Sequence, residues 1–476
     1  MIPLLLFLLA TVLSGQCTTP TMIDQDCDGY GVGSMLGPDA DDADSTVNTA
    51  ASMIAKYDPV TGNALIAIQA FLPARRGYHP LHVIFISPTG NDSSCTVNSL
   101  MACASFTKAN SLAVAGDAIV WRAGTYPQSN YIQMTRSGTA ANPMIYMAYP
   151  GESVTLAWTT AADGIEAGGF SYWTLDGIRM TQTSTFGYGI NSVQAFNVFG
   201  ATIVNTEILG FYDGLFLQNG MNNLTIKNSY IHTDPTHLGQ EHNIYLGSST
   251  LPSPNLIVQG NIIADGPAGG HNLHMNGRFP NALVDSNQFY GAIGDCLGLQ
   301  MGVNHSMFSN NTCHQVVSAA IWLIDYSQNS NASIQCHNQN FNTFRNNVFT
   351  DDGQTWNVKI NGNDGTQPVY RVTDACAATD YGSDFTHDLG HNTFDSNTFV
   401  HHCAFACSGY ISVYDGTAGT GWLSTDTWTN NVLTNLDLSA NQFLINGVRQ
   451  PIPAGNFSTP QGGSVLPVTL LKVVIQ

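Results

Sequence analysis

Short apolar–polar alternations fill the chain beyond residue 200, and one template recurs in them. It reads Val258-x-x-Asn261-x-Ile263, Val284-x-x-Asn287-x-Phe289, Phe308-x-x-Asn311-x-Cys313, Phe344-x-x-Asn347-x-Phe349, Phe394-x-x-Asn397-x-Phe399 and Trp428-x-x-Asn431-x-Leu433. Successive asparagines lie 26, 24, 36, 50 and 34 residues apart, and Asn205 to Asn228 adds a step of 23. A base period in the mid-twenties with strand patterning predicts a solenoid in which each repeat is one coil. The longer steps are then coils carrying insertions after Asn311, Asn347 and Asn397. Asparagine suits such a turn because it tolerates the left-handed backbone and its amide can bond to its neighbour one coil away. This ladder is scaffold. A leucine-rich repeat is the competing solenoid, but its leucine consensus is absent and nothing helical recurs within the coils.

A second strand recurs between the asparagine turns: Gly214–Gln218, Asn243–Gly247, Asn272–Asn276, Cys296–Gln300 and Ala320–Ile324. Period-two alternation places Leu215, Ile244, Leu273, Leu297 and Ile321 in one inward column, and Phe216, Tyr245, His274 and Trp322 in one outward column. An outward stripe of aromatic, histidine and asparagine side chains along stacked coils is a surface on which a glycan could lie.

The N-terminal part divides differently. Residues 1–16 read as a secretory signal, an apolar run ending in Ser14 and Gly15, shorter than a membrane span. Residues 17–50 hold two acidic blocks, Asp24, Asp26 and Asp28 before Gly29, then Asp39, Asp41, Asp42 and Asp44. Alternating aspartates with a glycine at the turn offer the six to eight oxygens that Ca²⁺ wants. They resemble the aspartate-rich calcium loops of thrombospondin type 3 repeats, without the glutamate that completes an EF-hand, since Met35 stands there. A solvated acidic tail is the alternative. Residues 51–80 read as a linker, 81–450 as the solenoid and 451–476 as a last coil or tail.

From His82 the chain runs HVIFIS, a turn SPTGND, a cysteine loop, a helix around SFTKANSLAV, then AGDAIVWRAGTY and later SGTAANPMIYMAYPGESVTL. These segments resemble the N-terminal coil of secreted polysaccharide lyases and related proteins of the pectate-lyase-like β-helix superfamily. The resemblance implies an all-β fold, a right-handed parallel β-helix with an N-terminal capping helix that shields the strand edge. It also implies a polysaccharide substrate.

Charge and cysteines narrow this further. With 33 acidic and 14 basic residues the net charge is −19, which argues against nucleic acid as a partner. A polyanionic glycan is also repelled at long range unless cations or local arginines reverse the field. Ten cysteines fit an oxidising compartment, secreted or at the cell surface, with Cys95–Cys103 and Cys403–Cys407 spaced for small loops and Cys296 and Cys313 read as free buried thiols. A monomer with no membrane span is expected.

Candidate chemistry gathers between Glu241 and His305: Glu241, His242, Tyr245, His271, Asn272, His274, Asn276, Arg278, Asp295, Asn304 and His305, with Trp322 further along. Proton removal beside a uronate carboxylate needs a base, a neutraliser for the carboxylate and an acid for the leaving oxygen. His274 as base, Tyr245 as acid and Arg278 with Asn276 as neutralisers supply them. His242, His271, Asn272, Glu241, Asp295 and Trp322 are expected to bind substrate. The expected function is therefore a lyase cleaving a uronate-containing polysaccharide by β-elimination, with Ca²⁺ as a structural cofactor. Two alternatives stay open. A glycoside hydrolase needs paired carboxyls, for which Glu241 and Asp295 are candidates; IGDCLGLQMG distantly resembles the paired-aspartate strand of polygalacturonases, but Cys296 takes the second aspartate's place. A non-catalytic adhesin would use the aromatic stripe alone.

Overall fold

The computed structural model describes residues 17, 19–184, 191–233, 242–248, 251–266, 270–291, 294–300, 302–315, 319–324, 339–351, 356–362, 389–390, 392–401, 411–415, 427–434, 443–445, 448–450 and 457–458. All but four of its strands fall into three sheets of twelve, the four forming two short parallel pairs, and nearly every neighbouring pair in the large sheets is parallel, one strand from each successive coil. Within a coil the chain passes through the first, second and third sheet in turn, as in Thr202–Val204, Glu207–Leu209 and Asp213–Gln218. The architecture is a parallel β-helix. The third sheet aligns as the alternation predicts, with Leu215, Ile244, Leu273, Leu297 and Ile321 on consecutive rungs and buried in the interior.

The asparagine ladder stands at the corner between the first and second sheets. Asn261, Asn287, Asn311, Asn347, Asn397 and Asn431 each pass an amide hydrogen bond of 2.9–3.0 Å to the next. Each Oδ1 from Asn287 on also accepts the backbone N–H of the preceding coil's asparagine, and each Nδ2 from Asn261 on donates to a strand carbonyl such as Ile226 or Val258. One part of the expectation needs correcting. The left-handed position is the residue before the ladder, occupied by Gly260, Ser286, Asn310, Asn346, Ser396 and Asn430. Asn205 and Asn228 belong to that set too, with φ of 50° and 48°. Their coils carry Thr206 and Ser229 at the ladder position, and Ser229 N–H donates to Asn261 Oδ1. A second, shorter ladder through Ser306, Asn342 and Asn392 holds the corner before the first sheet. Inside, Phe308, Phe344, Phe394 and Trp428 stack rung on rung.

The first coils are closed by three helices. Residues 51–80 are not a linker: α1 (Ala50–Tyr57, capped by Thr49) and α2 (Ala64–Phe71, capped by Asn63) bury Met53, Ile68 and Phe71 on the outer face of the first sheet. Strands Val83–Ile86, Ala118–Trp121 and Met144–Ala148 are therefore buried on both faces, which is why they read as unbroken apolar runs. The helix α3 (Phe106–Leu112, capped by Ser105) covers the end of the interior, with Phe106 stacked on Trp121. The strand edge itself is met by the Cys95–Cys103 loop, a disulfide as its spacing suggests: Asn98 and Cys103 donate to the carbonyls of Val83 and Phe85. Cys296 and Cys313 are not free but bonded to each other across a corner, where two inward positions bring their Cα atoms to 6.2 Å. Cys17 pairs with Cys27, and Cys403 and Cys407 lie outside the described residues.

Replacing Asn287 by alanine removes the acceptor of the buried Asn261 backbone N–H and the amide donor to the Val258 carbonyl, and breaks the side-chain links to Asn261 and Asn311. Urea unfolding should show a loss of about 3 kcal/mol with an unchanged slope.

Candidate functional site

On the outward face of the third sheet, the register Gln194, Phe216, Tyr245, His274, Gly298, Trp322 gives one column of side chains. The next outward column is Gln218, Gly247, Asn276, Gln300. Two glycines make room here. A Cβ at Gly247 would stand 2.9 Å from the Tyr245 ring, and one at Gly298 would stand 2.8 Å from the His271 ring. Tyr245 leans over the first gap, stacked on Phe216 at 5.1 Å, with its hydroxyl accepting from Asn276 Nδ2 at 3.3 Å. His271 fills the second, beneath Trp322.

The three histidines form a buried cluster. His242 and His271 stack one coil apart at 5.0 Å, and His274 meets both edge-on. Burial, followed by repulsion from His274 and His271, holds His242 far below the usual histidine range. Burial and His271 push His274 down to about 3, with neighbouring Gln300 opposing them. Both rings are neutral at neutral pH, because charging one would put a cation in a desolvated site beside its neighbours.

Hydrogen bonds then fix which nitrogen carries the proton. The His271 backbone N–H donates to His242 Nδ1 at 2.9 Å, so neutral His242 is protonated on Nε2. That Nε2 lies 2.8 Å from His274 Nδ1, which accepts, leaving the His274 proton on Nε2. His271 Nδ1 lies 2.9 Å from Asp295 Oδ2, at ion-pair distance though without hydrogen-bond alignment. The three residues bring one nitrogen each within 4.8 Å of the others, a metal-like spacing. A metal on His242 Nε2 would force the proton onto Nδ1, against the His271 N–H, so the hydrogen-bonded chain suits these rings better.

The remaining expected residues are distributed unevenly. Asn276 and Trp322 are half-buried on the same face as Tyr245 and Arg278 is half-buried just past the end of the Asn276 strand, whereas His242, His271, His274 and Asp295 are each less than a tenth exposed. Asn272 is fully buried, accepting from Asn243 at 2.7 Å and donating to the Tyr290 carbonyl, so it braces a corner and does not face a ligand. Asn304 is buried too, and His305 turns away in a left-handed turn, stacked on Phe341. Glu241 lies outside the described residues. Sequence reading did not single out Gln300, although its place two residues after Gly298 on an aligned strand marks it as outward.

The acidic segment is bound to the outside of the β-helix, with Ile23 and Val32 packed on Tyr230, Ile262 and Tyr290 and the Tyr290 hydroxyl donating to the Pro20 carbonyl. Asp24 accepts the N–H groups of Cys27 and Gly29, which folds the loop. Oxygens of Asp26, Asp28, Asp39 and Asp42 are buried without a hydrogen-bond partner among the described residues. Burial, aided by Asp42, Asp28 and Asp26, raises Asp39 to about 8; burial, then Asp26 and Asp24 against the pull of Arg76, raises Asp42 to about 7. Crowded, desolvated carboxylates with orphaned oxygens fit a hard cation such as Ca²⁺. Asp41 and Asp44 instead meet Arg75 and Lys56.

Comparison with known proteins bears on this architecture. Residues 84–243 match the family model described as Pel9A-like, right handed beta helix region. A stretch of 74 residues is 40% identical to pectate lyase PEL9 of Emericella nidulans, 15% of this chain and 18% of that protein, so the match spans less than a fifth of the relative. Among solved structures, pectate lyase Pel9A is 16% identical over 75% of this chain and 80% of its own, with a TM-score of 0.42. The alginate lyase from Paenibacillus sp. str. FPU-7 is 15% identical over 69% and 97%, with a TM-score of 0.41. The chain is a right-handed parallel β-helix, similar over residues 84–243 to the Pel9A-like region.

Proposed function

We propose that the chain is a secreted polysaccharide lyase that cleaves a uronate-containing glycan by β-elimination on the face around Tyr245. One observation carries this reading. On this face the three histidines and Asp295 are buried while Tyr245 is only half-buried, and its hydroxyl meets Asn276 on the adjacent rung, with half-buried Arg278 two residues beyond Asn276. The similarity of residues 84–243 to a pectate-lyase-type region supports it.

In this reading the base role expected of His274 moves to Tyr245, because the His274 lone pair is taken by His242 and its ring is buried. The Tyr245 phenolate takes the proton from the carbon beside the uronate carboxylate. The bond from the neighbouring carbon to the glycosidic oxygen breaks, a carbon–carbon double bond forms, and the same phenol returns its proton to the leaving oxygen. Arg278 and Asn276 neutralise the carboxylate, and Asn276 also donates to the Tyr245 oxygen, which favours the phenolate. Burial, then Asp213, raises the Tyr245 pKa above the ordinary phenol value, with Asn276 opposing. The acidic N-terminal loop would hold Ca²⁺ through Asp24, Asp26, Asp28, Asp39 and Asp42, in a structural role.

Incubation with pectic, alginate and glycosaminoglycan polymers should release unsaturated, ultraviolet-absorbing ends from one class, and Tyr245→Phe should lower kcat by about 10²–10⁴-fold at an unchanged melting temperature. New reducing ends without absorbance would mean hydrolysis, and neither signal would mean a glycan-binding protein.

Since the phenolate is the working form and its pKa is raised, kcat/KM should still be climbing at pH 9. A bell centred near neutrality would remove Tyr245 as the base.

Calcium at a hundred times Kd should stabilise the fold by about 2.7 kcal/mol. A chelator should reverse the gain, and Asp39→Asn with Asp42→Asn should abolish it in a thermal melt. An identical calcium response in that variant would assign the ion elsewhere.

A further inference from the structure

A second concavity lies at the N-terminal end of the same sheet. Beneath α3 the first coils enclose a cleft of about 800 Å³, within the range of small-ligand sites. Its lining includes Phe106, Trp121, Tyr131, Gln133, Arg136 and Asn110. Trp121 and Phe106 are stacked with an interplanar angle of 4° at its base, and Tyr131 is 50% exposed at the edge. Arg136 is steered by its bonds from Nε to the Asn110 carbonyl at 3.0 Å and from Nη2 to the Ser111 carbonyl. Its Nη1 makes no hydrogen bond among the described residues. Asn110 is 5% exposed, donates to Thr135 Oγ1 at 2.6 Å, and keeps Oδ1 without a partner, an acceptor suited to a hydroxyl-bearing ligand.

The cleft shares one outward column of the third sheet with Tyr245. Gln133 lines it and heads the register Gln133, Glu166, Gln194, Phe216, Tyr245 on the third sheet. Four rungs of about 4.8 Å separate Gln133 from Tyr245 by roughly 19 Å. That rise per rung is close to the length of one sugar in an extended glycan, so a chain spanning both places needs about five sugars. Glu166 and Asp163 lie between them, and an acidic group is best met at Arg136, before that pair.

We propose that this cleft is a remote subsite for the glycan handled at Tyr245, stacking a sugar ring on Tyr131 and pairing its carboxylate with Arg136. The inference rests on the glycan reading of the Tyr245 face. Aromatic stacking and a cation in one cleft are the two contacts that a charged sugar ring offers, and joining two weak sites on one polymer raises affinity through effective concentration.

The test is calorimetric binding of uronic-acid trimers and octamers, from pectin and from alginate, to the full chain. Wild type should prefer the octamer of its substrate by about tenfold or more, since only that oligomer reaches both places. Tyr131→Ala and Arg136→Gln should each remove most of this preference. The Tyr131 variant changes only an exposed ring, and guards against loosening of α3 by loss of Arg136. A preference that survives both substitutions overturns the subsite, as does equal affinity of wild type for the two lengths. Length-dependent binding without release of unsaturated product would remove the lyase reading and keep the subsite.

Discussion

Everything in this molecule depends on coils stacking in register, and the interaction that enforces it is the buried amide ladder. An unpaired amide in the interior costs several kcal/mol, so each asparagine must find its neighbour one coil away. From Asn261 to Asn431 every link is made both side chain to side chain and backbone to side chain. A slip of one residue in any coil would orphan two amides and turn an inward leucine to the outside. The ladder therefore also fixes the third sheet, whose outward columns carry the chemistry.

The same stacking explains the unusual state of the histidines. One rung per coil places His242 and His271 ring on ring, and packing them under Tyr245 and Trp322 removes water from both. The rings respond by staying neutral and sharing hydrogen bonds in one direction, from the His271 backbone to His242 to His274. Such a chain is a rigid floor. Its contribution is to hold Tyr245 and Asn276 in place, which is what a preorganised site requires.

At the N-terminal end the problem is different, because a β-helix begins with an open edge. Two devices close it: the Cys95–Cys103 loop takes up the backbone groups of the first strand, and α3 covers the hydrophobic interior. The acidic segment adds a brace that runs from the second sheet at Tyr230 and Tyr290 towards Arg75 and Arg76, fastened by apolar contacts, by the Asp41–Arg75 ion pair and by a bond from Arg76 to the Ala40 carbonyl. The cleft beside α3 is a consequence of this closure, since a helix laid across coils cannot fill the space that another coil would.

Much of this was legible in the chain itself. Period-two alternation and a recurring asparagine determine the solenoid, its coil length, the inward leucine column and the outward Tyr245–His274–Trp322 column, because each depends only on spacing along a regular strand. The helices α1 and α2 are each only eight residues long, about two turns, too short for a helical period to stand out, although Thr49 and Asn63 are ordinary cap residues. What no spacing reveals is decided by neighbours remote in sequence. Whether His274 is a base depends on His242, 32 residues earlier. Whether Asn272 faces a ligand depends on Asn243 and on the Tyr290 carbonyl, and whether Cys296 is free depends on a corner that brings it to Cys313. Sequence sets which side of a strand a residue takes; burial and the donors it meets there, which only the packed coils supply, set its chemistry.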